Sequence, residues 1–105
     1  MNRSMIEIVQ LDAMIEEATV DCYNEAEQVT GLLTMIEEHL TMPFETRILG
    51  AEVEVQRMDL TDDDQIVAIC SRGEHSQTIA LADLPLPTPL PDGAEWIEAY
   101  RRWLR

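Results

Sequence analysis

Lysine is missing from this sequence altogether, and arginine is scarce. Seven arginines stand against 21 aspartates and glutamates in 105 residues, for a formal net charge of −14. Arg101, Arg102 and Arg105 crowd the last five positions, so the first hundred residues hold every acid against four arginines. A chain without a basic surplus has little with which to neutralise the phosphates of a nucleic acid. An anionic lipid surface makes the same demand. Nucleic acid and membrane are therefore excluded as partners. Long apolar runs are missing too: none approaches the ~20 residues of a membrane span. Met1-Asn2-Arg3-Ser4 lacks the basic segment and apolar stretch of a secretory signal, so the expected location is cytoplasmic.

Cysteine, histidine and aromatic residues are few. Cys22 and Cys70 show no CxxC spacing. In a reducing compartment such residues are small buried hydrophobes; a disulfide or a reactive thiol is the alternative. His39 and His75 are the only histidines, and a zinc site needs more His or Cys at ligand spacing. Aromatics make up 5% of the chain, which leaves little for a sugar to stack on. No GxSxG, HExxH, P-loop or GxGxxG motif is present. A Cys–His nucleophile pair is opposed by the apolar stretches on which both cysteines fall. The sequence points away from an enzyme.

What is present suits one globular domain spanning 1–105. Hydrophobic residues make up 46%, near the globular average, with aliphatics and six methionines to fill the core. Residues 11–41 read as helical. Leu11, Met14, Ile15, Ala18, Cys22, Ala26, Val29, Leu32, Leu33, Ile36 and Leu40 follow steps of three or four. Asp12 is placed to cap the start. Gly31, which costs about 1 kcal/mol inside a helix, marks the break if the stretch is a helix pair. Met42-Pro43 ends it, because a residue before proline avoids helical angles. Residues 5–9 fit a short strand or an early helical turn.

Residues 44–82 change to a period of two. Phe44, Thr46 and Ile48 form one strand and Val53 and Val55 a second. Ile66 to Cys70 is apolar enough to be a central strand, and Thr78 to Leu81 makes a fourth. Four short strands with tight turns predict an antiparallel sheet curling toward an SH3-like barrel. In residues 84–91 every second position is proline, an extended strap whose leucines pack on the domain. An SH3-type ligand motif would carry a flanking basic residue, absent here. Residues 92–105 read as a final helix. Asp92 is its expected N-cap, Glu95 completes a capping box, and Trp96, Ile97, Tyr100 and Leu104 form the apolar stripe. The terminal arginines suit the negative end of the helix dipole.

Two acid clusters stand out. Glu17, Asp21 and Glu25 are spaced i, i+4, i+8, so they stack on one face, with Asn24 and Gln28 beside them. Each like-charge pair at that spacing costs about 0.2–0.5 kcal/mol, and no lysine or arginine lies between Arg3 and Arg47. A hard divalent cation would relieve the repulsion. A solvated acidic face that keeps the chain soluble is the plainer reading. The second cluster is Asp62-Asp63-Asp64, with Asp59 before it and Gln65 after. Carboxylates on a tight turn can converge on one ion, but Asp-rich turns also form for their own hydrogen bonds. An EF-hand loop is excluded: counted from Asp59, the third position is Thr61 and the sixth is Asp64, where that loop needs an acid and a glycine.

Two segments carry a family likeness. Val20-Asp21-Cys22-Tyr23-Asn24-Glu25-Ala26-Glu27-Gln28, followed by Leu40-Thr41-Met42-Pro43-Phe44-Glu45-Thr46, resembles the acidic calcium-binding proteins of the cyanobacterial CcbP type. That family reads V-D-A-Y-x-E-x-E-R and then L-x-F-P-F-x-A. Val53-Glu54-Val55 and the Trp96-to-Trp103 segment are similar to its following strand and final helix. The resemblance implies a small intracellular protein that binds Ca²⁺ through surface carboxylates without EF-hands. Asp21, Glu25 and Glu27 match its acidic helix. Gln28 replaces the expected arginine, Met42 an aromatic, and Leu32-Leu33-Thr34 an aromatic-rich segment, which marks a divergent branch.

The expectation is an α+β domain: a long N-terminal helix or helix pair packed on a small antiparallel β-sheet or SH3-like barrel, with a short C-terminal helix. The expected activity is Ca²⁺ binding as a buffer or sensor. Its metal residues are Asp62, Asp63 and Asp64, with Asp21 and Glu25 as a second cluster. The alternative is an acidic module that docks a basic protein partner without metal.

Overall fold

A computed structural model describes residues 5–105. Two helices open the fold, α1 (Met5–Thr19) and α2 (Glu25–His39). Four strands follow: β1 (Phe44–Ile48), β2 (Ala51–Leu60), β3 (Ile66–Arg72) and β4 (His75–Ala80). A 3₁₀ turn at Leu81–Asp83 leads through the proline strap to α3 (Glu95–Trp103). Of the first nine residues, the described ones, 5–9, are helical.

The helical stretch is a pair, and its break lies at 20–24 rather than at Gly31. Asp21 takes a left-handed backbone angle, φ 66°, which a helix cannot continue through. Asn24 then caps α2. Its Oδ1 accepts from the Glu27 N–H at 2.9 Å, while Glu27 Oε1 accepts from the Tyr23 N–H at 2.7 Å. This reciprocal pair satisfies two amide donors at the helix start, a variant of the capping box. Gly31 instead marks a crossing: a Cβ there would stand 2.2 Å from the Ala18 carbonyl oxygen of α1. Asp12 does not cap a helix either. It lies inside α1 and accepts from Arg102 Nε at 2.6 Å and Nη2 at 3.2 Å, tying α1 to α3.

The sheet is an antiparallel meander in the order β1-β2-β3-β4. Its registers include Phe44↔Val55, Leu60↔Ile66 and Arg72↔His75, with a bulge between Val55 and Arg57. β1 and β4 are free edges, so the sheet stays open and no barrel closes. The helices supply the reason: they cover the sheet's apolar face, which closure would otherwise have to bury. β3 is internal, as its composition suggested and as β2 also is, with Ile66, Val67, Ala68 and Cys70 buried. Leu81 leaves β4 for the 3₁₀ turn and is buried there.

The core joins Val29, Leu32 and Ile36 of α2, Val53, Val55 and Met58 of β2, and Trp96, Ile97, Ala99 and Tyr100 of α3. The strap packs through Leu84, which is buried, and Leu86, whereas Leu90 is exposed. Buried Thr46 donates its hydroxyl to the Pro85 carbonyl at 2.6 Å and holds the strap to β1. Cys70 is buried and Cys22 half-buried, both as free thiols, and burial pushes the Cys70 thiol up.

α3 starts without the expected capping box. Ala94 holds the cap position and makes no side-chain hydrogen bond. The Asp92 carbonyl accepts from the Thr41 N–H at 2.9 Å instead. Gly93 (φ 88°) passes so close to α2 that a Cβ would lie 2.1 Å from the His39 carbonyl oxygen. Packing on the end of α2 therefore sets this entry. Leu104 is exposed and falls outside the apolar stripe. Arg101 donates to the Leu81 and Leu84 carbonyls, and Arg102 pairs with Asp12, so two of the terminal arginines serve tertiary contacts besides the helix dipole.

Two outcomes follow from these contacts. Gly31→Ala, which intrinsic helix propensity would favour, should lower stability by roughly 1–3 kcal/mol because the new methyl meets α1 backbone; urea unfolding reads this directly. The Arg102 guanidinium holds the Asp12 carboxyl below its usual range. A depressed carboxyl contributes stability that is present above its unfolded value of about 3.9 and is lost as pH falls through the lower folded value. Asp12→Asn should therefore be less stable than wild type above about pH 5, with the difference closing in strong acid, in paired melts across pH.

Candidate metal centre

Glu25 occupies the first turn of α2, just after the Asn24 cap. Helix N-termini carry unpaired N–H groups and a positive dipole end, which favour a carboxylate there. The Asp-rich turn between β2 and β3 is closed by its own hydrogen bonds. The Thr61 N–H donates to the Gln65 carbonyl at 2.9 Å and the Asp64 N–H to the Thr61 carbonyl at 3.0 Å. The Gln65 N–H donates to Thr61 Oγ1 at 3.1 Å. Asp64 sits at φ 62°, a left-handed angle that Asp tolerates better than most residues. Asp62, Asp63 and Asp64 are all exposed.

The end of α3 comes down beside both elements. Tyr100 Oη accepts from the Ile66 N–H at 3.2 Å, at the first residue of β3. Trp103 Nε1 donates to Gln28 Oε1 of α2 at 2.9 Å. The two rings stack with centroids 6.2 Å apart. Between these elements lies a depression of about 350 Å³ bordered by Glu25, Asp63, Asp64, Gln65, Trp103 and Leu104.

Residues from both sequence-predicted clusters thus meet at one place. Asp63 and Asp64 face the same depression as Glu25. Asp62 shares their turn but does not border it. The expected ridge of Glu17, Asp21 and Glu25 does not form: Glu17 is in α1, Asp21 in the connection and Glu25 in α2, so no common helix face carries them. Glu27, third of the family-matching acids, is engaged by the Tyr23 N–H. Gln65 and Trp103 border the depression and went unread as site residues. Trp103 had a signal, its i+7 spacing from Trp96 on the buried face of α3, and Gln65 had its place directly after the three aspartates.

The donors are carboxylate and amide oxygens, the ligand chemistry of a hard cation such as Ca²⁺. Asp59 is spent on Arg57 at 3.5 Å. Among the described residues no arginine pairs with Glu25, Asp63 or Asp64. Nor do any three His, Cys, Asp or Glu side chains among them already form a metal-holding group. The donor chemistry fits a hard cation. Exposed carboxylates of like charge stand apart and reorient quickly.

A family profile described as calcium binding, Calci_bind_CcbP, matches residues 12–104. The crystal structure of Anabaena CcbP superposes with a TM-score of 0.71 at 20% identity, covering 99% of this chain and 93% of that one. A calcium-binding protein in its calcium-binding form superposes with a TM-score of 0.74 at 21% identity, covering 97% and 95%. At such identities the likeness establishes the fold. No curated protein gives a significant match. No helix among the described residues is long and apolar enough to cross a membrane.

The crowding of acids makes a metal-free prediction. Asp63 and Asp64 changed together to Asn, which keeps the turn's backbone tolerance, should raise the melting midpoint in low-salt chelated buffer by about 1–4 °C. The gain should shrink as salt screens the repulsion, which a thermal melt series in NaCl would measure.

Proposed function

Because the chain belongs to the CcbP family of calcium-binding proteins, we propose that it is a cytoplasmic Ca²⁺ buffer or sensor, with its site at the depression between α2, the β2–β3 turn and α3. Glu25, Asp63 and Asp64 are the proposed ligands, with Asp62 beside them and the Gln65 amide as a neutral donor. The carrying observation is that acids far apart in the chain border one depression, with no arginine among the described residues paired to them. Asp21 lies in the α1–α2 connection and adds to the negative potential.

The residues act through their charge. Their repulsion raises the free energy of the metal-free surface, and a bound divalent cation removes it. Backbone hydrogen bonds hold the turn in shape, so its carboxylates are presented without ordering the chain first. An open site of few carboxylates, completed by water, binds in the micromolar to millimolar range. The family is a calcium-binding one and not an enzyme family.

Calorimetric titration of the full chain with Ca²⁺ and with Mg²⁺ tests this. Ca²⁺ should give binding heat and raise the melting temperature at millimolar concentration. The triple change of Asp62, Asp63 and Asp64 to Asn should abolish most of both. Absence of heat and of any thermal shift in wild type would sink the proposal. A basic protein partner retained by wild type and lost by the triple variant, without a metal effect, would favour the interaction-module reading.

A further inference from the structure

Neither proposed ligand group is held by the other. Glu25 rides on α2, and Asp63 and Asp64 ride on a turn of the sheet. α3 touches both. The Trp103 indole N–H donates to Gln28 Oε1 at 2.9 Å. Gln28 lies three residues beyond Glu25, and residues at that spacing share a helix face. The Tyr100 hydroxyl accepts from the Ile66 N–H at 3.2 Å, two residues beyond Asp64. The stacked Tyr100 and Trp103 rings join the two contacts into one piece. Tyr100 is buried, and Trp103 itself borders the depression.

We infer that the last turn of α3 is the clamp of the calcium site, with Trp103, Gln28 and Tyr100 as positioning residues that set the distance between Glu25 and the Asp63–Asp64 turn. The inference rests on the proposed site and adds what controls its affinity. None of the three need touch the ion. Their effect is preorganisation: with α2 and the turn already held together, binding does not have to order them. Contacts that orient metal ligands from behind typically alter affinity by 10–100-fold. The linkage is reciprocal, so Ca²⁺ must stabilise the docked position of α3 by the factor that docking strengthens Ca²⁺ binding.

The test compares Ca²⁺ affinity with metal-free stability in the full chain. Trp103→Phe removes the indole donor and keeps an aromatic ring against Tyr100. Gln28→Leu removes the acceptor. Each should weaken Ca²⁺ binding about tenfold or more by calorimetry. Val53→Ala, a core change away from the depression, should lower the melting point and leave affinity at the wild-type value. Gln28→Glu, which keeps an acceptor for the indole, should bind at least as well as wild type. Adding Trp103→Phe to Gln28→Glu should weaken binding again, separating the clamp from the added charge. Wild-type affinity in both Trp103→Phe and Gln28→Leu would overturn the clamp while leaving the site standing. An affinity loss in Val53→Ala equal to theirs would reduce the clamp to general stability. No Ca²⁺ binding by wild type would remove the site and the clamp together.

Discussion

One hydrogen bond inside the core, from the Ile66 amide to the Tyr100 hydroxyl, joins the last helix to the sheet. A buried amide left without a partner costs about 1–3 kcal/mol, and Tyr100 supplies that partner from 34 residues further along the chain. With Tyr100 seated, Trp96, Ile97 and Ala99 enter the core. The same seating brings Arg101 to the Leu81 and Leu84 carbonyls and Arg102 to Asp12. A helix of nine residues thereby holds α1, α2, the 3₁₀ turn and the start of β3. The acidic depression exists because its walls are parts that this helix brings together.

The shortage of cations shapes the surface in a related way. Arg47 pairs with Glu52, Arg57 with Asp59 and Arg102 with Asp12, while Arg101 serves backbone carbonyls. Exposed pairs of this kind add little stability, but they occupy Arg47, Arg57 and Arg102. The charge around Glu25, Asp63 and Asp64 is left to water, salt or a divalent ion. Under the proposed function, solubility and metal affinity draw on the same surplus of carboxylates.

Much of the fold was legible where a residue's neighbours in sequence are also its neighbours in space. Period-two runs marked β1 and part of β2, the apolar run at Ile66–Cys70 marked β3 as internal, as β2 also is, and Thr78–Leu81 overlapped only the second half of β4, which begins at His75. The helix break was misplaced at Gly31 because a glycine's cost is a generic signal. The Asn24 and Glu27 side chains that end the debate lie in plain sight, but their role depends on the chain reversing at Asp21. Asp92 and Glu95 spell a capping box that goes unused, since the close approach of Gly93 to His39 dictates how the chain enters α3. The barrel expectation failed for a similar reason: strand pattern alone does not say that helices will cover the open sheet.

The sequence by itself determined the charge surplus, the helix–strand–helix order, the Asp-rich turn and the family likeness, because composition and short periodicities are local properties. Only the tertiary structure decided which acids border one depression. It separated Asp21 from the helix face that spacing suggested and set Glu25 beside Asp63 and Asp64. It also put Trp103 and Gln28 in contact across the chain. Those choices depend on where α3 docks, and docking is a sum of long-range contacts that no local pattern encodes.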